Sequence, residues 1–294
     1  MTSKKIVRIL SAILFGLFIF IYFTYLNFPY HKMKDQLFFE IERNSGFELQ
    51  AESFDTTLGF GFVLGEVSIE NPSLNLPQIQ IERIKLSPSL LSLIRFRPKV
   101  AFQVELEKGT LQGTFEQKGG AIQGIKLNLN EIKIGGKSLE AATNLDIDGL
   151  LAGQVSLEGN LKTLENLNGA TDIQLRKFKL GKLSVLNMNI PELNLSHISL
   201  TGKIANDKLV IEKFNAGGSN EDLYAITSGD VVLNPRDIRQ SRLNLKLKFK
   251  MSKKLSDEFA LFLPFIASAL GSDGFYTIKI DGRLGAPRAL PERS

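Results

Sequence analysis

Apolar and polar residues alternate one for one along most of this chain. The clearest run is Leu243, Leu245, Leu247, Phe249 and Met251, interleaved with Asn244, Lys246, Lys248 and Lys250. A period of two places successive side chains on opposite faces of an extended strand, so this segment predicts a strand with one apolar and one wetted face. The alternation returns at Ile79 and Ile81 and over residues 100–106, 125–129, 139–147, 155–161 and 278–284. Clusters of Gly, Asn, Pro and Asp separate these runs at roughly ten-residue intervals, which is the spacing of antiparallel hairpins and not of strand–helix–strand units.

Gly119 with Gly120, Gly135 with Gly136, and Asn206 with Asp207 supply hairpin turns, because these residues accept positive φ at little cost. Changes of phase, as between Ile81 and Ile84, imply bulges. Gly59, Gly61 and Gly65 predict kinks in a strongly bent strand, since no lysine and no helix pattern follows them as a phosphate-binding loop requires. The expected fold is mainly β: a long antiparallel meander forming a curved, trough-like sheet or open barrel.

Helical signals are few. Met33, Leu37, Phe38 and Ile41 recur at helical spacing within residues 32–43, and Gly46 gives a stop, so residues 29–46 form a juxtamembrane helix and linker. A short helical piece is expected at residues 88–95. A longer one spans residues 256–270, where Phe259, Phe262, Ile266 and Leu270 make an apolar stripe, Ser256 can cap, and Asp257 and Glu258 suit the positive end of the dipole. Pro264 should kink or divide it. This insertion covers one end or face of the sheet, or works as a lid or membrane-surface element.

The N-terminus changes the picture. Lys4, Lys5 and Arg8 precede residues 9–28, an uncharged span carrying Ile9, Leu14, Phe18, Phe20 and Tyr22. At 1.5 Å per residue its length matches a bilayer hydrocarbon core of about 30 Å. No small residues stand where a signal peptidase would cut, which favours an uncleaved anchor over a cleaved leader. Residues 1–8 are then cytoplasmic, Tyr22, Tyr25 and Tyr30 approach the far interface, and residues 47–294 form a β-rich domain beyond the membrane, outside the cytoplasm.

Composition narrows the chemistry. With 294 residues, 43% of them hydrophobic, the chain can fill a core. It has no cysteine, and its two histidines, His31 and His197, have no paired spacing, so neither a thiolate nor a zinc site is expected. No G-x-S-x-G elbow occurs. Asp146 and Asp148 mark the polar side of a strand entering a turn. The net charge of +5 and pI near 9.2 come from dispersed lysines and arginines. They suit an anionic membrane surface, and without an aromatic platform beside the lysines of residues 246–254 no nucleic-acid partner is expected. No catalytic, cofactor-binding or metal-binding residue is assigned, and no enzyme activity is expected.

Several Gly-bounded stretches carry a family resemblance: residues 150–159 (LLAGQVSLEG), 209–218 (LVIEKFNAGG), 228–233 (SGDVVL), 241–245 (SRLNL) and 273–287 (DGFYTIKIDGRLGAP). In this order and spacing residues 145–288 resemble the type II secretion system protein N family, in its spirochaete and deltaproteobacterial form. Ser219, Asn220 and Glu221 depart from it by lengthening a turn. The resemblance implies an inner-membrane-anchored accessory component of the type II secretion system with its body in the bacterial periplasm, a structural scaffold whose partners are other components of that machinery. The family is also distantly similar to AsmA-like proteins, which implies the alternative: a lipid-binding or lipid-transfer protein carrying phospholipid or lipopolysaccharide acyl chains between the membranes. In that case Leu243, Leu245, Leu247 and Phe249 line the apolar trough.

Overall fold

The structure is a computed structural model describing residues 15–16, 19, 23, 30–57, 61–71, 76–89, 91–92, 97–119, 121–136, 145–161, 163, 165–185, 188–260 and 263–292. A helix, Tyr30–Ser45, precedes the first strands: β1 (Glu48–Thr57), β2 (Gly61–Asn71), β3 (Leu76–Pro88), β4 (Lys99–Glu105), β5 (Thr110–Lys118), β6 (Ala121–Gly135), β7 (Ile147–Asn160) and β8 (Glu165–Leu180). A small hairpin of β9 (Leu183–Val185) and β10 (Met188–Ile190) intervenes. Then follow β11 (Leu193–Ala205), β12 (Lys208–Ala216), β13 (Leu223–Val232), β14 (Arg242–Met251), β15 (Tyr276–Arg283) and β16 (Ala286–Pro291).

Fourteen of these strands form one sheet in the order β1 to β8, then β11 to β16, and every pairing is antiparallel. The meander expected from the alternation is therefore present as a single open, uncurled sheet. β1 and β16 stand at its edges, and it neither curls into the expected trough nor closes into a barrel. Among the described residues no second sheet is laid against it, and the extensive contacts of each strand are with its neighbours in the sheet.

The turns follow the expected chemistry. Asn206 and Asp207 join β11 to β12 with φ of 50° and 63°, the doubly left-handed geometry of a two-residue hairpin that matches strand twist. The phase change between Ile81 and Ile84 also has a physical cause. Glu66, opposite them on β2, is left-handed with φ 48°, so Leu64 and Val67 both turn to the core, and Ile81 joins them there with Ile84 packed alongside. Gly61 and Gly65 lie within β2, and Gly59 falls outside the described residues. The strand expected over 139–147 falls mostly outside them too.

The helical expectations need correction. Pro88 does not begin a helix: it closes β3, paired with Val100, and among the described residues of 88–95 Leu91 and Ser92 are helical. Near the C-terminus the insertion starts earlier than Ser256. Ser252 is the cap, its hydroxyl accepting the Leu255 N–H at 3.2 Å, because the chain leaves β14 directly into the helix Lys253–Glu258. A second short helix, Leu263–Ile266, holds Pro264 in its first turn, where the missing N–H costs nothing, and a 3-10 turn, Ala267–Ala269, follows. Among the described residues no helix is long and apolar enough to cross a membrane. Ile9, Leu14, Phe18, Phe20 and Tyr22 of the expected anchor lie outside the described residues, while Phe15, Ile19 and Phe23 from the same span are helical and exposed.

Candidate functional site

One ladder of paired residues can be followed across the whole sheet. From Phe54 on β1 it passes through Leu64, Ile84, Val104, Leu111 and Leu129 to Gly153 on β7. It continues through Ile173, Leu200, Phe214, Thr227, Leu247 and Ile278 to Pro291 on β16. Only Gly153 and Thr227 interrupt its apolar character. One residue along, the ladder reads Lys85, Gln103, Gln112, Asn128, Gln154 and Asp172. Because side chains alternate between faces, the sheet has an apolar face that runs from edge to edge and, opposite it over β3 to β8, a polar one.

Burial along the apolar face is uneven. Leu64, Val67 and Ile81 form a buried cluster near β1, with Phe38 of the Tyr30–Ser45 helix packed on it. Leu195, Ala216 and Ala225 form a second cluster, with Leu247 and Phe249 against it. Between them Leu111, Leu127, Leu129, Val155, Ile173 and Leu175 remain half-buried, although strand pairing on either side is complete. Apolar surface left partly in water over the middle of a sheet is unusual in a protein that has nothing to put there.

The expected lining residues lie on this face. Leu243 is buried, 8% exposed, between Val231 and Gly282, and Leu245, Leu247 and Phe249 are half-buried along the same strand. What covers them is neither an opposing sheet nor a long helix. The two short C-terminal helices arch over the Phe249 end and leave an apolar cavity of about 280 Å3, walled by Leu193, Leu223, Phe249, Met251, Leu255 and Phe259 among others. Ser252 pins this arch, its N–H donating to the Asp222 carbonyl at 2.8 Å and its hydroxyl to Oδ1 of Asp222 at 2.7 Å.

The polar face carries several lysines. A hollow of about 660 Å3 lies along β3 to β7, lined by Lys85, Lys99, Lys126, Gln112, Asn128 and Gln154 among others. On β14, Lys246 and Lys248 pair with Glu292 at 3.0 Å and Asp273 at 3.6 Å. Such exposed pairs contribute little to stability.

His197 sits in the one titratable cluster that sequence analysis left without a role. Its Nδ1 is 2.9 Å from the Ser196 Oγ and its Nε2 3.1 Å from the Asn215 Nδ2. Glu221, in the lengthened turn, accepts the Ser196 N–H at 3.0 Å and the Gly218 N–H at 3.0 Å. Burial pushes the Glu221 carboxyl up, but the Ser196 hydroxyl and amide, the Gly218 amide and His197 outweigh it and hold the carboxyl below its ordinary value. The carboxylate thus grips serine and backbone and does not orient the imidazole, so the group lacks the serine–base–orienter order of a hydrolase. It ties the β12–β13 turn to β11. Among the described residues no group of three or more His, Asp or Glu side chains could hold a metal.

Sequence analysis missed β8, the longest strand at 16 residues. Its inward positions include Gly169 and Thr171 between Leu167 and Ile173, which weakens the apolar beat that would have marked it. Compared with known protein families, curated proteins and solved structures, this chain matches none.

Proposed function

We propose that this chain is a lipid-handling protein of the bacterial envelope, anchored in the inner membrane by residues 9–28, that seats acyl chains on the apolar face of its periplasmic sheet. The observation that carries this reading is the ladder from Phe54 to Pro291, apolar at all but two positions and uncovered over its middle. Thirteen spacings of about 4.8 Å make it on the order of 60 Å long. Acyl chains have no hydrogen-bonding groups to satisfy, and each methylene removed from water contributes about 0.8 kcal/mol. An open apolar floor, with Leu243, Leu245, Leu247 and Phe249 near its end, fits them. The cavity beneath the C-terminal helices is roughly twice the size of a 150 Å3 apolar cavity that takes up benzene, and suits a chain end. The ligand class is phospholipid or lipopolysaccharide, and the chain acts as a binding protein and not as an enzyme.

The resemblance of residues 145–288 favours a second reading, in which the sheet is a scaffold within the type II secretion apparatus. Secretion that proceeds unchanged after deletion of the gene would count against it.

The lipid reading is tested on the whole chain extracted in mild detergent. Native mass spectrometry should find bound phospholipid or lipopolysaccharide, and a delipidated sample should take up a fluorescent fatty acid. Leu127→Glu, in the middle of the uncovered face, should abolish uptake while leaving the fold intact. A lipid-free chain that takes up no fatty acid would overturn the proposal.

A further inference from the structure

The two edges of the sheet differ in charge and in hydrogen-bonding capacity. β1 and β2 carry Glu48, Glu52, Asp55, Glu66 and Glu70 and no lysine or arginine, although the chain as a whole has a net charge of +5. Glu48 lies directly opposite Glu70, a like-charged pair that destabilises the hairpin unless a cation joins it. Among the described residues neither Glu52 nor Asp55, both exposed, meets a cation. At the other edge β14, β15 and β16 bear seven lysines and arginines and a single acid, Asp281.

The backbone at the two edges differs as well. The Glu292 N–H donates to the Thr277 carbonyl at 2.9 Å, which fixes the alternation of hydrogen-bonded and open pairs along β16. With Glu292 facing β15, the backbone groups of Pro287, Ala289 and Pro291 face outward. Two of these three have no N–H, so β16 is closed to a further strand. β1 has ten residues and no proline, so every residue along its outer edge carries a backbone N–H. Phe38 of the Tyr30–Ser45 helix packs on the cluster of Leu64, Val67 and Ile81, on the apolar face of the sheet.

We propose that the outer edge of β1 is a docking site for an extended segment of another protein, one that alternates apolar residues with lysine or arginine and adds as a further strand. Its apolar side chains would extend the row of Leu49, Ala51 and Phe54, and its cations would lie beside Glu48, Glu52 and Asp55. A second copy of this chain does not fit. Pairing β1 with β1 sets acids against acids. Pairing β1 with β16 is favoured by charge, but the prolines remove the donors that would hold it. The proposal is independent of what the apolar face binds.

The test uses the full chain in detergent micelles and two synthetic ten-residue peptides, one alternating valine with lysine and one alternating valine with glutamate. Hydrogen exchange is read strand by strand. The lysine peptide should slow exchange of the fast amides of β1 by about tenfold or more at saturation and leave β16 unchanged, and the glutamate peptide should do neither. In the double variant Glu52→Lys with Asp55→Lys, the preference should reverse. Equal protection by both peptides, protection at β16, or no protection of β1 would overturn the proposal. So would β1 protected in a dimer without peptide, because the occupant would then be a second copy.

Discussion

Phe249 and Tyr276 lie directly opposite each other on β14 and β15, their rings stacked with centroids 5.3 Å apart and 20° between the planes. The stack stands where the C-terminal helices fold back over the sheet, so Phe249 serves both the sheet and the cavity. Phe249→Ala should cost about 2–3 kcal/mol, less than for a fully buried phenylalanine because the ring is half-buried. Urea denaturation measures this, and a loss well below 1 kcal/mol would mean that the stack contributes little.

Gly229 has φ +134°, and a Cβ there would stand 2.2 Å from the Asn244 carbonyl oxygen. Gly136, with φ +99°, has open space around it. Both substitutions to alanine carry backbone strain, but only Gly229→Ala adds a clash with a paired strand. Expected costs are about 3 kcal/mol for Gly229→Ala and about 1 kcal/mol for Gly136→Ala. Equal thermal shifts in the two variants would refute the steric account.

Thr171 lies on the apolar face between Val155 and Gly202, and its Oγ1 is buried without a hydrogen-bond partner among the described residues. A buried unpaired hydroxyl is unfavourable, and valine has nearly the same shape. Thr171→Val should therefore raise stability by up to about 1 kcal/mol, seen as a higher melting temperature. A lower one would show that the hydroxyl has a partner in solution.

The Glu221 carboxyl is held below its ordinary value of 4.5. A carboxylate depressed in the folded state stabilises fully above its unfolded pKa, and that contribution disappears as pH falls through the folded pKa. Glu221→Gln should thus cost about 1 kcal/mol near neutral pH, and the gap between variant and parent should close on acidification below the ordinary carboxylate range. Melting curves of the two proteins across pH measure it, and a gap independent of pH would contradict the electrostatic origin.

Strand identity was legible where side chains made the period of two loud, as on β14, and turns where Asn206 and Asp207 demanded positive φ. β8 stayed hidden because Gly169 and Thr171 interrupt its apolar positions. The helix start at Ser252 was displaced to Ser256 because both serines precede plausible helix formers, and only the junction with β14 decides between them. Whether the face would be covered was not readable at all. Leu127 has the same alternation with or without a layer above it, since pattern records which way a side chain points and not what it meets. The acidic edge was readable from β1 and β2 as composition, but its meaning depends on their place at the end of the strand order.

Nearly every strand of the sheet neighbours the strand before it in sequence, and the β9–β10 hairpin is the only interruption. A chain built this way never has to hold a long loop open while a distant partner arrives, so each hairpin can lock as soon as its two strands are free to pair. The width of the sheet is then simply a tally of hairpins. Insertion or loss of one lengthens or shortens the apolar floor by two spacings, about 10 Å, and lets the flanking strands meet again in the same antiparallel sense. Evolution can adjust the reach of such a molecule the way a ribbon is cut, without redesigning a core.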